Sequence, residues 1–267
     1  MMKRPNHIAF TCFVAAIYVF LLAPLAIVVL FSFSDKSYFT FPPSGFSLNW
    51  YQAAWESGRF GMPALRSILL AFGSAGLSAV LAVPAALALR RARPSVWKRG
   101  VEFVLLSPLI VPALIIGIAL LYYFLNYGLI DTVAGLVIAH TLLVFPFMFR
   151  SVLVSAMEIK PQLEEASELL GASPWRTFRS VILHGLAPGL TSGSIFAFIV
   201  SFDHFTVSLF VTQSEQVTLP VALYNYVYDV NDPVAAAVST ALVVFGMVLA
   251  IGLQKAGLLD SIGGRPA

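Results

Sequence analysis

Residues 161–188 read PQLEEASELLGASPWRTFRSVILHGLAP. Glu164, Glu165, Glu168, Arg176 and Arg179 crowd into this span, while the chain on either side is strongly apolar. Pro161 suits a first helical turn, and Leu163, Ala166, Leu169 and Leu170 recur at helical spacing. Gly171 interrupts the pattern where a left-handed cap belongs. Ser173 and Pro174 then open a second short helix, as N-cap and first helical residue. On it Trp175, Phe178, Val181 and Ile182 share one face, and Arg176 and Arg179 point elsewhere. Such a pair of helices either lies on the lipid surface or offers a docking knob to a soluble partner. A surface-bound helix carries a continuous basic face. Here the glutamates cluster on the first helix, where an anionic leaflet would repel them, so docking is favoured.

The surroundings of this loop set the fold class. Of 267 residues, 59% are hydrophobic and 11% charged, and the mean hydropathy is +0.87. Soluble domains carry about 25% charged residues, so the composition is that of a membrane protein. A transmembrane helix needs roughly 20 apolar residues. Six stretches qualify: 8–33, 62–89, 101–125, 132–156, 187–211 and 234–253. The predicted fold is all-α: one transmembrane domain over residues 1–267, with six spans and the charged loop between the fourth and fifth. Lys3 and Arg4 precede the first apolar run as they would in a signal peptide. That run is about twice the usual 7–15-residue length, so an uncleaved anchor is expected. Cys12 is the sole cysteine, which excludes an internal disulfide.

Thirteen of the sixteen basic residues fall at one set of span ends: Lys3, Arg4, Arg90, Arg91, Arg93, Lys98, Arg99, Arg150, Lys160, Arg176, Arg179, Lys255 and Arg265. Lys36, Arg59 and Arg66 lie at the other. The positive-inside rule then puts both termini and the 157–186 loop in the cytoplasm. The basic balance follows topology and is no sign of nucleic-acid binding.

Glu165-Ala166-Ser167, three residues, Gly171, nine residues and Val181-Ile182-Leu183 together resemble the EAA loop of bacterial ABC importer permeases. That loop runs E-A-A, three residues, G, nine residues, I-x-L-P. This chain has Ser167 for the second Ala, Val181 for Ile and His184 for the closing Pro, which removes a helix stop. The resemblance extends to Ser44 through Tyr51, to Pro108-Leu109-Ile110-Val111-Pro112, to Ser201-Phe202-Asp203, to Thr218-Leu219-Pro220-Val221, to Asn231-Asp232-Pro233 and to the 235–240 run. It is similar to the spermidine/putrescine branch, which also includes opine and aminophosphonate transporters. The resemblance implies a multi-pass protein of the bacterial inner membrane that imports a small organic cation or zwitterion. A polyamine leads the candidates. It implies as partners a dimer of ATP-binding subunits, a second permease chain and a periplasmic or lipid-anchored solute-binding protein. No cofactor is implied. The ATPase-docking residues would be Glu164, Glu165, Ala166, Gly171, Trp175 and Phe178.

No G-x-x-x-x-G-K-[ST] loop, HExxH, CxxC or paired-carboxylate cleft occurs, so neither ATP binding by a phosphate loop nor an enzyme site is expected. A self-contained secondary transporter would call for internal repeats and midplane charge pairs, which are not evident. Asp203-His204 lies about sixteen residues into the fifth span, roughly 24 Å at 1.5 Å per residue. An ionisable residue at that depth should face the bundle or a water-filled cavity. Asp203 therefore either caps a helix break or lines the translocation path. His204 is read as a packed neutral ring. Pro84, Pro108 and Pro112 break helical hydrogen bonds, serving as hinges or in packing. Gly189 and Gly193, spaced i and i+4, are expected at an interface with the partner permease. The aromatic segments 49–61 and 213–233 fit either an interfacial belt or docking of a binding protein. Asp35, Glu56, Asp131, Glu215, Asp229 and Asp232 give the outward end an acidic excess.

Overall fold

A computed structural model of the chain describes residues 7–38, 40, 44–230 and 232–255. Lys3, Arg4, Asn231 and Arg265 lie outside the described residues. Twelve α-helices are described, beginning with α1 (His7–Ser32), α2 (Asn49–Glu56) and α3 (Gly61–Arg91). The middle of the chain forms α4 (Val96–Leu106), α5 (Ala113–Tyr127), α6 (Val133–Glu158), α7 (Pro161–Leu169) and α8 (Pro174–Thr177). After it come α9 (Leu183–Phe202), α10 (Thr206–Val211), α11 (Leu219–Asp229) and α12 (Val234–Lys255). Five segments are long and apolar enough to cross a membrane, or six if one bent pair counts as a span. The fold class is the all-α one expected.

Two of the expected spans differ in detail. The third, 101–125, is not one rod: α4 with its 3-10 extension Ser107–Leu109 meets α5 at 94°. The cause is local, since Pro108 and Pro112 each remove an N–H donor, and Pro112 is the N-cap of α5. The fifth, 187–211, starts earlier and stops earlier. Residues 174–202 are continuously helical through a π-turn, Phe178–Ile182, and the chain breaks at residues 203–205 before α10. Pro188 lies inside α9 without ending it.

The described residues divide into two compact units, one drawn from residues 7–61 with 223–250 and the other from residues 62–222 with 251–255. In the first, the Trp50 indole donates to the Ser34 carbonyl at 2.7 Å, and Tyr51 and Ser32 share a 2.8 Å hydrogen bond. These contacts fasten α2 to the end of α1. Phe60 packs on Tyr226 with ring centroids 5.3 Å apart, and the Arg59 guanidinium lies 5.7 Å from the same ring.

The second unit is built around α6. Its Val144, Met148, Phe149, Val152 and Ala156 have no exposed surface, so this helix is apolar and enclosed on most of its circumference. Its most extensive partner is α9. Gly185, Gly189 and Gly193 of α9 form a stripe on that contact. A Cβ at Gly189 would lie 2.7 Å from Ser155 Oγ, and one at Gly193 would lie 2.8 Å from Met148 Sδ. The two helices therefore approach more closely than any side chain would permit. This overturns the expectation that Gly189 and Gly193 mark a partner interface. Both are buried against the chain's own α6. The small-residue spacing was read correctly, but spacing does not say which helix fills the groove.

Candidate functional site: the loop helices and the broken fifth span

The loop of residues 161–188 forms the cap structure its sequence calls for. Gly171 has φ +78°. Its N–H donates to Glu168 O at 2.9 Å, and the Ala172 N–H donates to Ser167 O at 3.1 Å. That pair of bonds is a Schellman closure of α7, and only a left-handed residue completes it. Ser173 caps α8 by accepting from Arg176 N–H, with Pro174 at the first helical position. Ser167, the departure from the family's second Ala, shares a 3.0 Å hydrogen bond with Thr177 and so ties α7 to α8.

Glu164 does not stand free among the loop's acids. Its carboxylate pairs with both Arg90 and Arg91 at the end of α3, and Arg90 also donates to the Ile159 carbonyl at 2.7 Å. Burial pushes the Glu164 carboxyl up, but the two guanidiniums outweigh it and hold it below its ordinary value. Arg90 and Arg91 thus share one end of the bundle with the loop, as the charge pattern requires. Glu165 and Ala166 are exposed. Trp175 is 69% exposed and stacks at 5.5 Å on Phe178, which is half-buried against the core. Leu169 and Leu170, read from sequence only as members of a helical face, are 88% and 89% exposed at the tip. Single exposed leucines are ordinary, but one loop that exposes two adjacent leucines and a tryptophan offers apolar side chains of the kind that mark an interaction surface. Behind the loop, Glu158, Ile159, Leu163, Val181 and His184 line a cavity of about 390 Å³. His184 stands in unbroken helix, so the missing proline lets the loop run directly into α9.

Asp203 sits at the other end of α9, as its C-cap, with its side chain exposed. Among the described residues it forms no ion pair. His204 follows in the break. Its Nε2 is buried without a hydrogen-bond partner, and its ring meets His140 edge-on at 6.0 Å. His204 also lines a cavity of about 390 Å³ whose opposite wall is the proline break, residues 108–113, between α4 and α5.

A buried polar chain, which the sequence reading missed, holds this break in place. His140 on α6 has no exposed surface, and its Nδ1 and Nε2 each lie 2.9 Å from a serine hydroxyl, Ser201 and Ser208 respectively. Ser208 Oγ donates to the His204 carbonyl at 2.8 Å, which uses its only proton. It must therefore accept from His140 Nε2–H, leaving Nδ1 to accept from Ser201. Ser74 Oγ of α3 lies 3.0 Å from Ser201 Oγ and also donates to the Leu70 carbonyl at 2.8 Å. One neutral imidazole thus spans the break from Ser201 to Ser208. The only available signal was a histidine inside an apolar span, and its serine partners lie 61 and 68 residues away.

Several acids counted as an outward excess are already engaged. Asp131 adopts φ +55° and accepts four backbone N–H bonds, from Gln213, Ser214, Glu215 and Gln216, at 2.9–3.1 Å. Partial burial raises its carboxyl pKa, but those four donors prevail and lower it to about 2. Its role is to clamp the loop after α10. Asp35 accepts from Ser44, Glu56 from Gln52, and Asp232 from Tyr226. Asp203 lacks any such partner among the described residues.

With this geometry in place, the comparisons are specific. Residues 78–256 match the family described as binding-protein-dependent transport system inner membrane component. The spermidine/putrescine transport system permease protein PotC of Haemophilus influenzae is 27% identical over 239 residues, covering 90% of this chain and 92% of the relative. The PotC protein of Escherichia coli is 29% identical over 245 residues, 91% of each chain. The molybdenum transport system permease protein ModB of Mycobacterium bovis is 34% identical over 203 residues, 71% of this chain and 76% of the relative. In fold, the chain is similar to inward-facing MetNI methionine ABC transporter at TM-score 0.61, with 20% identity over 79% of this chain and 98% of that one. A bacterial ABC transporter involved in alginate import gives a TM-score of 0.65, with 14% identity over 97% and 95%. Transport, not catalysis, is the role of such chains. The match over most of its length makes this chain a member of the binding-protein-dependent transport system inner membrane components, the permease subunits of ABC importers.

Proposed function

We propose that this permease imports a small organic cation or zwitterion, with spermidine or putrescine as the leading substrate. It would share its path with a second homologous permease chain. A dimer of ATP-binding subunits would grip the loop from the cytoplasm, where both termini also lie. A periplasmic or lipid-anchored solute-binding protein would deliver solute on the opposite side. In the loop, Glu165, Ala166, Gly171 and Trp175 with the Leu169–Leu170 tip form the contact face, while Glu164 and Phe178 brace it from behind.

The observation that carries the substrate reading is Asp203, an exposed carboxylate at the helix break that ends the long fifth span, with no counter-ion among the described residues. A charge in that position is costly unless it faces water or a cation. Similarity to two PotC proteins over about nine tenths of the chain supports the same class. The ModB relative, with higher identity over a shorter stretch, favours a second reading in which the solute is an oxyanion. The two readings separate in the assembled complex with its binding protein, by measuring ATPase stimulation with spermidine, putrescine and molybdate. Stimulation by the amines, reduced in an Asp203→Asn complex that still assembles, is expected. Stimulation by molybdate alone would overturn the cation reading, and an Asn variant at the parental rate with an amine would make Asp203 structural.

A further inference from the structure

A small cavity opens between the start of α3 and the start of α6, at the end of the bundle away from the loop. Its volume is about 130 Å³, room for about four water-sized groups at ~30 Å³ each. Leu69, Leu70, Val133, Leu136 and Val137 make apolar walls. Arg66, Gln216 and Thr218 make a polar edge. Leu69 and Val133 are 62% and 63% exposed, so the groove is open along an apolar outer surface of the bundle.

Arg66 is the feature that needs an explanation. It sits in the second turn of α3, roughly 8 Å from the helix start, among the exposed apolar residues Leu65 and Leu69. A guanidinium at that depth needs an anion or a route to water. Among the described residues no carboxylate pairs with it, because both recorded ion pairs lie at the loop end. The loop acid Asp131 has spent its oxygens on four backbone N–H groups, one of them Gln216's own. Thr218 is 2% exposed, and its hydroxyl is buried without a hydrogen-bond partner.

We propose that this cavity binds an anionic phospholipid, with the phosphate at Arg66 and Gln216 and the first methylenes against Leu69 and Val137. Planar guanidinium groups match phosphate oxygens in a bidentate way. The apolar walls favour a lipid over a free anion, since a free anion would gain nothing from desolvating them.

The test is native mass spectrometry of the assembled importer, given palmitoyl-oleoyl phosphatidylglycerol, the matching phosphatidylcholine, or inorganic phosphate. Phosphatidylglycerol should bind in preference to phosphatidylcholine, and phosphate should not compete. Arg66→Gln should lower phosphatidylglycerol retention roughly fivefold, the value of one cation beside anionic headgroups. Val137→Phe, which narrows the groove and keeps the charge, should lower retention as well, and it decides the matter if the Arg66 variant fails to assemble. Equal retention in both variants, equal binding of the two lipids, or absence of bound lipid from the complex would overturn the proposal. Displacement by phosphate would reassign the site to a free anion. None of these readouts depends on the transported solute, so failure here leaves the transport reading untouched.

Discussion

Gly171 offers the cleanest test of the loop, because a substitution there acts through the backbone alone. A Cβ at this position meets nothing within 4 Å, so there is no steric clash with neighbouring atoms to confuse the result. What remains is the φ of +78°. For a side-chain-bearing residue the left-handed region costs about 1–2 kcal/mol, and a β-branched residue lies at the upper end. Asparagine tolerates that region and serves as the control. The nine-residue α7 is too short to hold itself and depends on its closure, the Glu164 pairing and the Ser167–Thr177 bond. Removing one of three supports at 1–2 kcal/mol lowers the equilibrium constant for the docked shape by about five- to thirtyfold. Apparent affinity for the ATP-binding subunit falls by up to the same factor. The assay is recovery of ATP-binding subunit on tagged permease at subsaturating subunit, with membrane content of the permease measured in parallel. Gly171→Val should insert normally and recover little partner, while Gly171→Asn should stay near parental. Equal recovery with the Val variant would refute the claim that this closure shapes the docking face.

Two further substitutions test the bundle. Gly189→Ala drives a Cβ to 2.7 Å from Ser155 Oγ and 2.9 Å from Ser155 Cβ, and should lower the stability of the detergent-solubilised protein by about 1–3 kcal/mol in thermal unfolding. Gly76→Ala, with nothing within 4 Å, should cost nothing, and equal behaviour of the pair would count against the close α6–α9 approach. Asp131→Asn leaves one acceptor oxygen for four N–H donors and should loosen residues 213–216, at about 1–2 kcal/mol after discounting for solvent exposure. Because the native pKa is lowered from 3.8 to about 2, the clamp's contribution is present above pH 3.8 and lost as pH falls toward 2. Amide exchange of residues 213–216 should therefore differ between wild type and Asn by a constant factor above about pH 5 and converge in acid. A difference that does not close in acid would mean the charge is not what holds the loop.

What could be read from the sequence was mostly what is local. The spans follow from runs of apolar residues, and the loop's cap, break and second helix follow from Pro161, Gly171, Ser173 and Pro174, each acting within a few residues. The prolines 108 and 112 announced a disturbance in the third span, but not its size. The sharp bend arises from two lost donors, one within a 3-10 turn and one just after it. The misreading of Gly189 and Gly193 and the missed roles of Asp131 and His140 share one cause. Each depends on a partner elsewhere in the chain, with Asp131 reaching N–H groups 82–85 residues on. Counting Asp131 as a free surface charge was reasonable from composition, but the backbone donors that absorb it are invisible there.

The same long-range contacts bear on how the loop and the Asp203 break would act together. From Pro174 to Phe202 the chain is one helix of 29 residues, roughly 43 Å long at 1.5 Å per residue. Its middle is locked to α6 by Gly189 and Gly193, which leave no slack, and its top ends at Asp203. Close-packed helices move as bodies and do not deform continuously. If the ATP-binding subunits displace the loop, that displacement reaches the break as rotation or tilt of a rod. The two places able to yield are the π-turn at Phe178–Ile182 and the break itself, where helical hydrogen bonding is already interrupted. His140 bridges only the second of these. Motion at the loop would therefore be taken up either at the π-turn, leaving Asp203 in place, or by reorienting Asp203 against the Ser201–His140–Ser208 bridge. The bridge has every proton assigned, so reorientation must break at least one buried hydrogen bond, at about 1–3 kcal/mol. That cost biases the break toward one arrangement by roughly five- to 150-fold, which is modest beside the work of ATP-driven closure.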